Sequence, residues 1–166
     1  MDKKKIFILS SIAALFFFSL IPCHVLRIEA SKKNRTVFVQ IIRPDYRFST
    51  KYIHSVELSP VREYFKIDKL FRIVLYETTF SSCNTGLPTT LSGDEKFYDM
   101  GTHLRISNMH RTLPELNLWV NKKYYNTLTL GDGEVLKLPS LAGDTLLRVA
   151  VEKLPFLKFL YLKIKT

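Results

Sequence analysis

The densest polar chemistry of the chain lies in Tyr52-Ile53-His54-Ser55-Val56-Glu57-Leu58-Ser59-Pro60-Val61-Arg62-Glu63. An imidazole, a hydroxyl and carboxylates this close in sequence are the groups that acid–base catalysis, a metal or a polar ligand would use. Ser55 as a nucleophile needs a base within hydrogen-bond reach. His54 adjoins it, but neighbouring strand residues point to opposite faces, which argues against a Ser–His pair. No catalytic residue is therefore assigned. His54, Glu57 and Glu63 are candidate metal ligands, with Cys83 a further group. Their spacing has none of the repeat of a paired CxxC site, and no metal or other cofactor is expected. In a purely structural role, Glu57 and Glu63 pair with Arg62 or cap turn N–H groups, and His54 packs at a strand end. Walker, GxGxxG, HExxH and GxSxG patterns are absent from the sequence.

The elements around this segment read as strands. Phe48, Thr50 and Tyr52 alternate with Arg47, Ser49 and Lys51, and Val61, Glu63, Phe65 and Ile67 alternate with Arg62, Tyr64 and Lys66. Glu57–Pro60 between them reads as a hairpin turn, bringing His54 and Ser55 near Arg62 and Glu63. Pro60 lacks an N–H for a ladder and fits a turn or the start of an edge strand. Further runs are Val37–Ile42, Ile73–Phe80, Leu104–Ser107, Leu116–Val120, Tyr125–Leu130, Val135–Leu138 and Thr145–Glu152. Turn residues separate them at Arg43-Pro44-Asp45, Ile67-Asp68-Lys69, Asn121-Lys122-Lys123 and Gly131-Asp132-Gly133. The pattern predicts an all-β domain, an antiparallel β-sandwich or barrel of about 8–10 short strands. Ser81–His103 breaks the alternation and reads as a long irregular loop.

The two ends differ from this domain. Lys3-Lys4-Lys5 precedes an uncharged run from Ile6 to Leu26. As a helix, that run would be about 31 Å long, close to the hydrocarbon thickness of a bilayer. It reads as one N-terminal transmembrane or signal helix, with residues 1–26 a signal peptide or signal anchor. No A-x-A-type cleavage site follows, so retention as a single-pass anchor is preferred. The expected location is the cytoplasmic (inner) membrane, with the domain on the extracytoplasmic side. Basic residues on both flanks, among them Arg27, Lys32, Lys33 and Arg35, leave an inverted orientation open. The expected β-domain is 27–153. A basic, aromatic tail follows at 154–166, readable as a last strand, a capping helix or a helix on a lipid surface.

His54-Ser55-Val56-Glu57-x-x-Pro60-Val61-x-Glu63, a strand ending in Glu77-Thr78, then Phe80-Ser81-Ser82 and Gly86-Leu87-Pro88, resembles the bacterial family catalogued as domain of unknown function 1850. The resemblance runs from about His24 to Glu152, and His-Ser-Val-Glu is its most specific block. It implies a short exported or membrane-tethered protein, often encoded beside TRAP transporters of the TAXI type. It also makes His54, Ser55, Glu57, Pro60, Glu63 and Gly86 the positions to watch for binding. Cys83-Asn84-Thr85 departs from the small, Gly-containing run of the family.

The chain carries a net charge of +10, of which residues 1–30 contribute +2. Such a balance suits anionic headgroups beside the membrane. It carries no signature of nucleic-acid binding, and no nucleic acid is expected. Cys23 and Cys83 could pair in an oxidising compartment. Together with the anchor and the all-β pattern, the family resemblance implies a non-enzymatic accessory to a TRAP-type uptake system, with transporter membrane subunits or a solute-binding protein as partners. The alternative is a small-ligand or metal-binding domain, hydrolytic in one version, using the His54–Glu63 hairpin.

Overall fold

Period-two alternation becomes strand almost wherever it occurs. The computed structural model describes residues 19–81 and 91–166. Eleven strands occur among them: β1 (Pro22–Ala30), β2 (Arg35–Ile41), β3 (Arg47–Ile53), β4 (Pro60–Ile67), β5 (Ile73–Phe80), β6 (Lys96–Asp99), β7 (Leu104–Leu113), β8 (Leu116–Val120), β9 (Thr127–Thr129), β10 (Val135–Lys137) and β11 (Thr145–Pro155). A one-turn helix, α1 (Leu138–Ala142), and a C-terminal helix, α2 (Phe156–Lys165), complete the set.

All pairings are antiparallel. Sheet A has the order β2-β1-β11-β8, and sheet B the order β10-β9-β3-β4-β5-β7-β6. The two form an antiparallel β-sandwich. Its main core lies between them, where Leu26, Ile28 and Leu147 of sheet A meet Phe48, Phe65 and Ile67 of sheet B. Each such side chain, fully removed from water, stabilises by about 1.5–3 kcal/mol. A smaller cluster of Val61, Phe80, Ile106 and Met109 fills the β4–β5–β7 end of sheet B.

Sheet A is covered on its other face too. Val25 and Val39 turn away from the sandwich core and, with Leu154, pack beneath Phe159 and Leu162 of α2. Elsewhere on that face Arg27 bridges Glu29 and Glu152, and Arg148 bridges Glu115 and Glu152. The layers therefore run α2, sheet A, sheet B.

Turn chemistry fixes the registers. The Asp68 carboxylate accepts from the N–H groups of Leu70 and Arg72, closing the β4–β5 turn. Gly131, between β9 and β10, lies so close to β3 that a Cβ there would stand 2.9 Å from the Arg47 carbonyl oxygen. Its N–H donates to the Tyr46 hydroxyl.

Four sequence expectations need correction or limits. The expected boundary at residues 26 and 27 falls inside β1, because Val25 and Leu26 are buried on opposite faces of sheet A. The tail 154–166 divides into the end of β11 and α2, and it belongs to the packed domain. Ser81–His103 contains a strand, β6, paired with β7. The uncharged run before Ser19, together with Cys83 and Gly86, lies outside the described residues. Among those described, no helix is long and apolar enough to cross a membrane.

Candidate functional site

β3 and β4 are neighbours in the middle of sheet B, paired from Arg47↔Lys66 to Ile53↔Pro60. The loop between them is therefore 54–59, longer than the expected Glu57–Pro60 turn. Pro60 opens β4, where its missing N–H costs nothing to the ladder. β4 is an internal strand, so the edge-strand option for Pro60 does not hold.

The loop is closed by its own first residue. The His54 N–H donates to the Ser59 carbonyl at 2.8 Å, and the His54 carbonyl accepts from the Leu58 N–H at 2.9 Å. The imidazole Nδ1 accepts from the Glu57 N–H at 3.2 Å. This imidazole nitrogen is thus used to cap the loop rather than to activate a hydroxyl. Leu58 holds φ +50°, a left-handed conformation that costs a branched side chain about 1–2 kcal/mol. Its side chain is 67% exposed, and that of Val56 is 63% exposed. The hairpin tip therefore presents two aliphatic groups to solvent on a backbone fixed by hydrogen bonds.

Glu63 occupies the inward face of β4, between buried Val61 and Phe65. The strand's period of two gives a carboxylate no other direction once its neighbours are committed to the core. Thr50, its register partner on β3, donates to Glu63 Oε2 at 3.1 Å. Burial holds the Glu63 carboxyl above the usual carboxylate range, with the Thr50 hydrogen bond opposing it. Burial, and then the charge of Glu63, pushes the nearby Tyr52 phenol well above its ordinary range. Pairing of Glu63 with Arg62 does not occur. Arg62 lies on the outer face of β4, where its guanidinium donates to the Tyr64 hydroxyl.

These groups line a cleft of about 360 Å³ at the mouth of the sandwich. Tyr52, His54, Ser55 and Glu63 form one wall. The other comes from Asn117, Leu118 and Trp119 of edge strand β8, with Tyr124 and Asn126 from the connection to β9. Asn126 fixes that wall: its Oδ1 accepts from the Asn121 N–H and its Nδ2 donates to the Trp119 carbonyl. A volume of this size lies in the range of small-ligand sites.

Of the sequence candidates, His54, Ser55 and Glu63 therefore meet at one cleft. Glu57 is directed to the loop's own closure through its N–H, and Pro60 is a structural start to β4. Among the described residues no three His, Cys, Asp or Glu side chains gather as a metal site, and His54, Glu57 and Glu63 form no such group. Cys23 donates its thiol to the Leu154 carbonyl at 3.5 Å. Sequence reasoning missed the β8 wall entirely. The lone Trp of the chain, 57% exposed on a strand, was the available mark of it.

The sequence profile of the family described as "Domain of unknown function (DUF1850)" matches residues 48–136, which runs from within β3 to within β10 and takes in both walls of the cleft. No curated protein and no solved structure matches the chain.

Proposed function

The chain belongs to the DUF1850 family, and from that premise we propose a non-enzymatic, membrane-tethered extracytoplasmic β-domain that assists a TRAP-type solute-uptake system. Its recognition element is the His54–Glu63 hairpin, and its partners are the transporter's membrane subunits or its solute-binding protein. One observation carries the reading. The residues of the hairpin motif build a capped loop that displays Val56 and Leu58 to solvent. Exposed aliphatic groups on a rigid backbone lose little entropy on docking, which suits a protein interface. Val56→Ser combined with Leu58→Ser removes that surface without touching the core. In native membranes the variant is expected to lose co-purification with transporter subunits and to lower uptake, with an unchanged urea midpoint. Recovery of the parent protein without any transporter subunit rejects the reading.

A second reading rests on the cleft. The inward Glu63 carboxyl, whose charged form burial disfavours, and the Ser55 hydroxyl line a cavity of small-ligand size and would pair with polar groups of a small ligand. A thermal-shift screen of small carboxylates and polyols, with Glu63→Ala as control, separates the two. Saturable stabilisation of the parent alone supports a ligand site.

A further inference from the structure

Helix α2 has two apolar faces. Phe159 and Leu162 turn inward onto Val25, Val39 and Leu154. Leu157, Leu160, Tyr161 and Ile164 recur at i, i+3, i+4 and i+7 on the other side, and are 59, 38, 55 and 86% exposed. A helix on the surface of a water-soluble domain ordinarily turns polar residues outward, and this one turns a second hydrophobic stripe there. Charge is distributed with equal bias. Lys158, Lys163 and Lys165 flank the stripe, and no acid occurs from Lys153 to Thr166.

An independent feature places the start of α2 beside the end of the N-terminal uncharged run. The Phe156 N–H, at the first residue of α2, donates to the Ile21 carbonyl at 3.0 Å. Leu20 and Ile21 are each 51% exposed at that point. The uncharged run that begins at Ile6 thus reaches the domain at the first turn of α2. An uncharged run of sixteen residues, from Ile6 to Ile21, leads directly to the helix with an uncovered apolar stripe and flanking lysines.

We propose that α2 lies along the surface of an anionic bilayer. Leu157, Leu160, Tyr161 and Ile164 enter the boundary between headgroups and acyl chains, and Lys158, Lys163 and Lys165 meet the lipid phosphates. The inference rests on the tether of the preceding reading. It adds a second membrane contact that fixes how the domain stands. Tether and helix then act as two linked attachments, the second made effectively intramolecular by the first.

The test uses the full-length chain in nanodiscs of phosphatidylcholine and phosphatidylglycerol carrying brominated acyl chains. Trp119→Phe removes the lone native indole, and Ile164→Trp adds one on the stripe. Lys51→Trp, on the outer face of sheet B, provides the distant control in the same background. Blue-shifted emission and bromine quenching are expected for the Ile164→Trp protein, with neither for the Lys51→Trp protein. Lys158→Gln, Lys163→Gln and Lys165→Gln together should reduce the quenching. Nanodiscs of phosphatidylcholine alone should do the same. Absence of quenching in a protein held by the nanodisc overturns the docking of α2 alone. A chain recovered outside the nanodiscs overturns both the tether and the docking. Blue shift without quenching, whether from a second copy or from the chain's own apolar run on α2, also overturns it, as does equal quenching of both indoles.

Discussion

Where the chain can be cut follows from β1. Removing residues 1–26, as cleavage at the end of the uncharged run would, takes away Pro22–Leu26. These are the first five of the nine β1 residues paired with β11. Val25 and Leu26, both fully buried, leave with them. Leu26 comes out of the core between the sheets, and Val25 out of the layer under α2. At about 1.5–3 kcal/mol for each buried aliphatic side chain, the pair alone accounts for about 3–6 kcal/mol. Incomplete closure of the two voids adds to the loss. So does exposure of the β11 groups that had paired with Pro22–Leu26. A domain of this size is stable by only about 5–15 kcal/mol in total. Residues 20–166 should therefore fold with a cooperative urea transition, and residues 27–166 should show no transition or one at far lower urea. Both are measured by far-UV circular dichroism under the same conditions. Equal midpoints for the two proteins would refute the reasoning, since β1 would then contribute nothing as an internal strand of sheet A. The corollary concerns the proposed tether: processing compatible with this fold must leave Val25 and Leu26 in place.

Three further outcomes follow from particular contacts. The Glu63 carboxyl lies above its ordinary value when folded, so the folded state holds its proton more tightly than the unfolded chain does. Stability contributed by that proton is full below the ordinary glutamate value of about 4.3 and is lost as pH rises through the folded value. Glu63→Gln, which keeps an acceptor for Thr50, should thus gain in urea midpoint over the parent as pH rises across that window. A pH-independent difference counts against a buried carboxylate. Glu95 behaves in the opposite sense. The Arg111 hydrogen bonds hold its carboxyl below the usual range, so its contribution is present above about pH 4.3 and fades as pH falls through the folded value. Glu95→Gln should cost about 1–2 kcal/mol at neutral pH, the low side for a charge-assisted pair because Arg111 is partly in water. That cost should shrink in acid, as read from denaturation midpoints. Finally, Gly131→Ala brings a methyl to 2.9 Å from the Arg47 carbonyl and should destabilise by about 1–3 kcal/mol. An unchanged midpoint would show that the β9–β10 turn yields to it.

Alternation made most of sheet B legible, and it did so through residues that violate it least. Arg47, Ser49 and Lys51 on one side and Phe48 and Thr50 on the other assign β3 its inner face without any partner in view. β1 was harder because it lies inside sheet A and is covered on both sides, by sheet B and by α2. Such a strand reads as a continuous apolar run, and Val25-Leu26 merges with the run that precedes it. α2 was ambiguous for a related reason. Apolar residues on both sides of Leu154–Thr166 satisfy a period of two and a period of 3.6 about equally, and only packing onto Val25 and Val39 decides for the helix.

The site shows what local pattern can and cannot supply. Glu63 was legible as an acid on an apolar face, because Val61, Phe65 and Ile67 commit β4 before Glu63 is considered. What that acid meets was not legible. Thr50 depends on the register, which a six-residue loop sets differently from the shorter turn expected. Leu118, Tyr124 and Asn126 reach the cleft only because β8 pairs with β11, and that pairing joins residues 116–120 to 145–149 across the top of the other sheet. No periodicity within a strand encodes which edge of sheet A will overhang which strand of sheet B. The same logic bears on function. One hairpin places a carboxyl inward and two aliphatic side chains outward, so a titration effect and the proposed docking would draw on different residues. Glu63 variants should therefore alter the pH profile of stability, and Val56 and Leu58 variants partner binding, with little exchange between the two effects. Should both sets of substitutions move both readouts together, the cleft and the hairpin tip form a single surface.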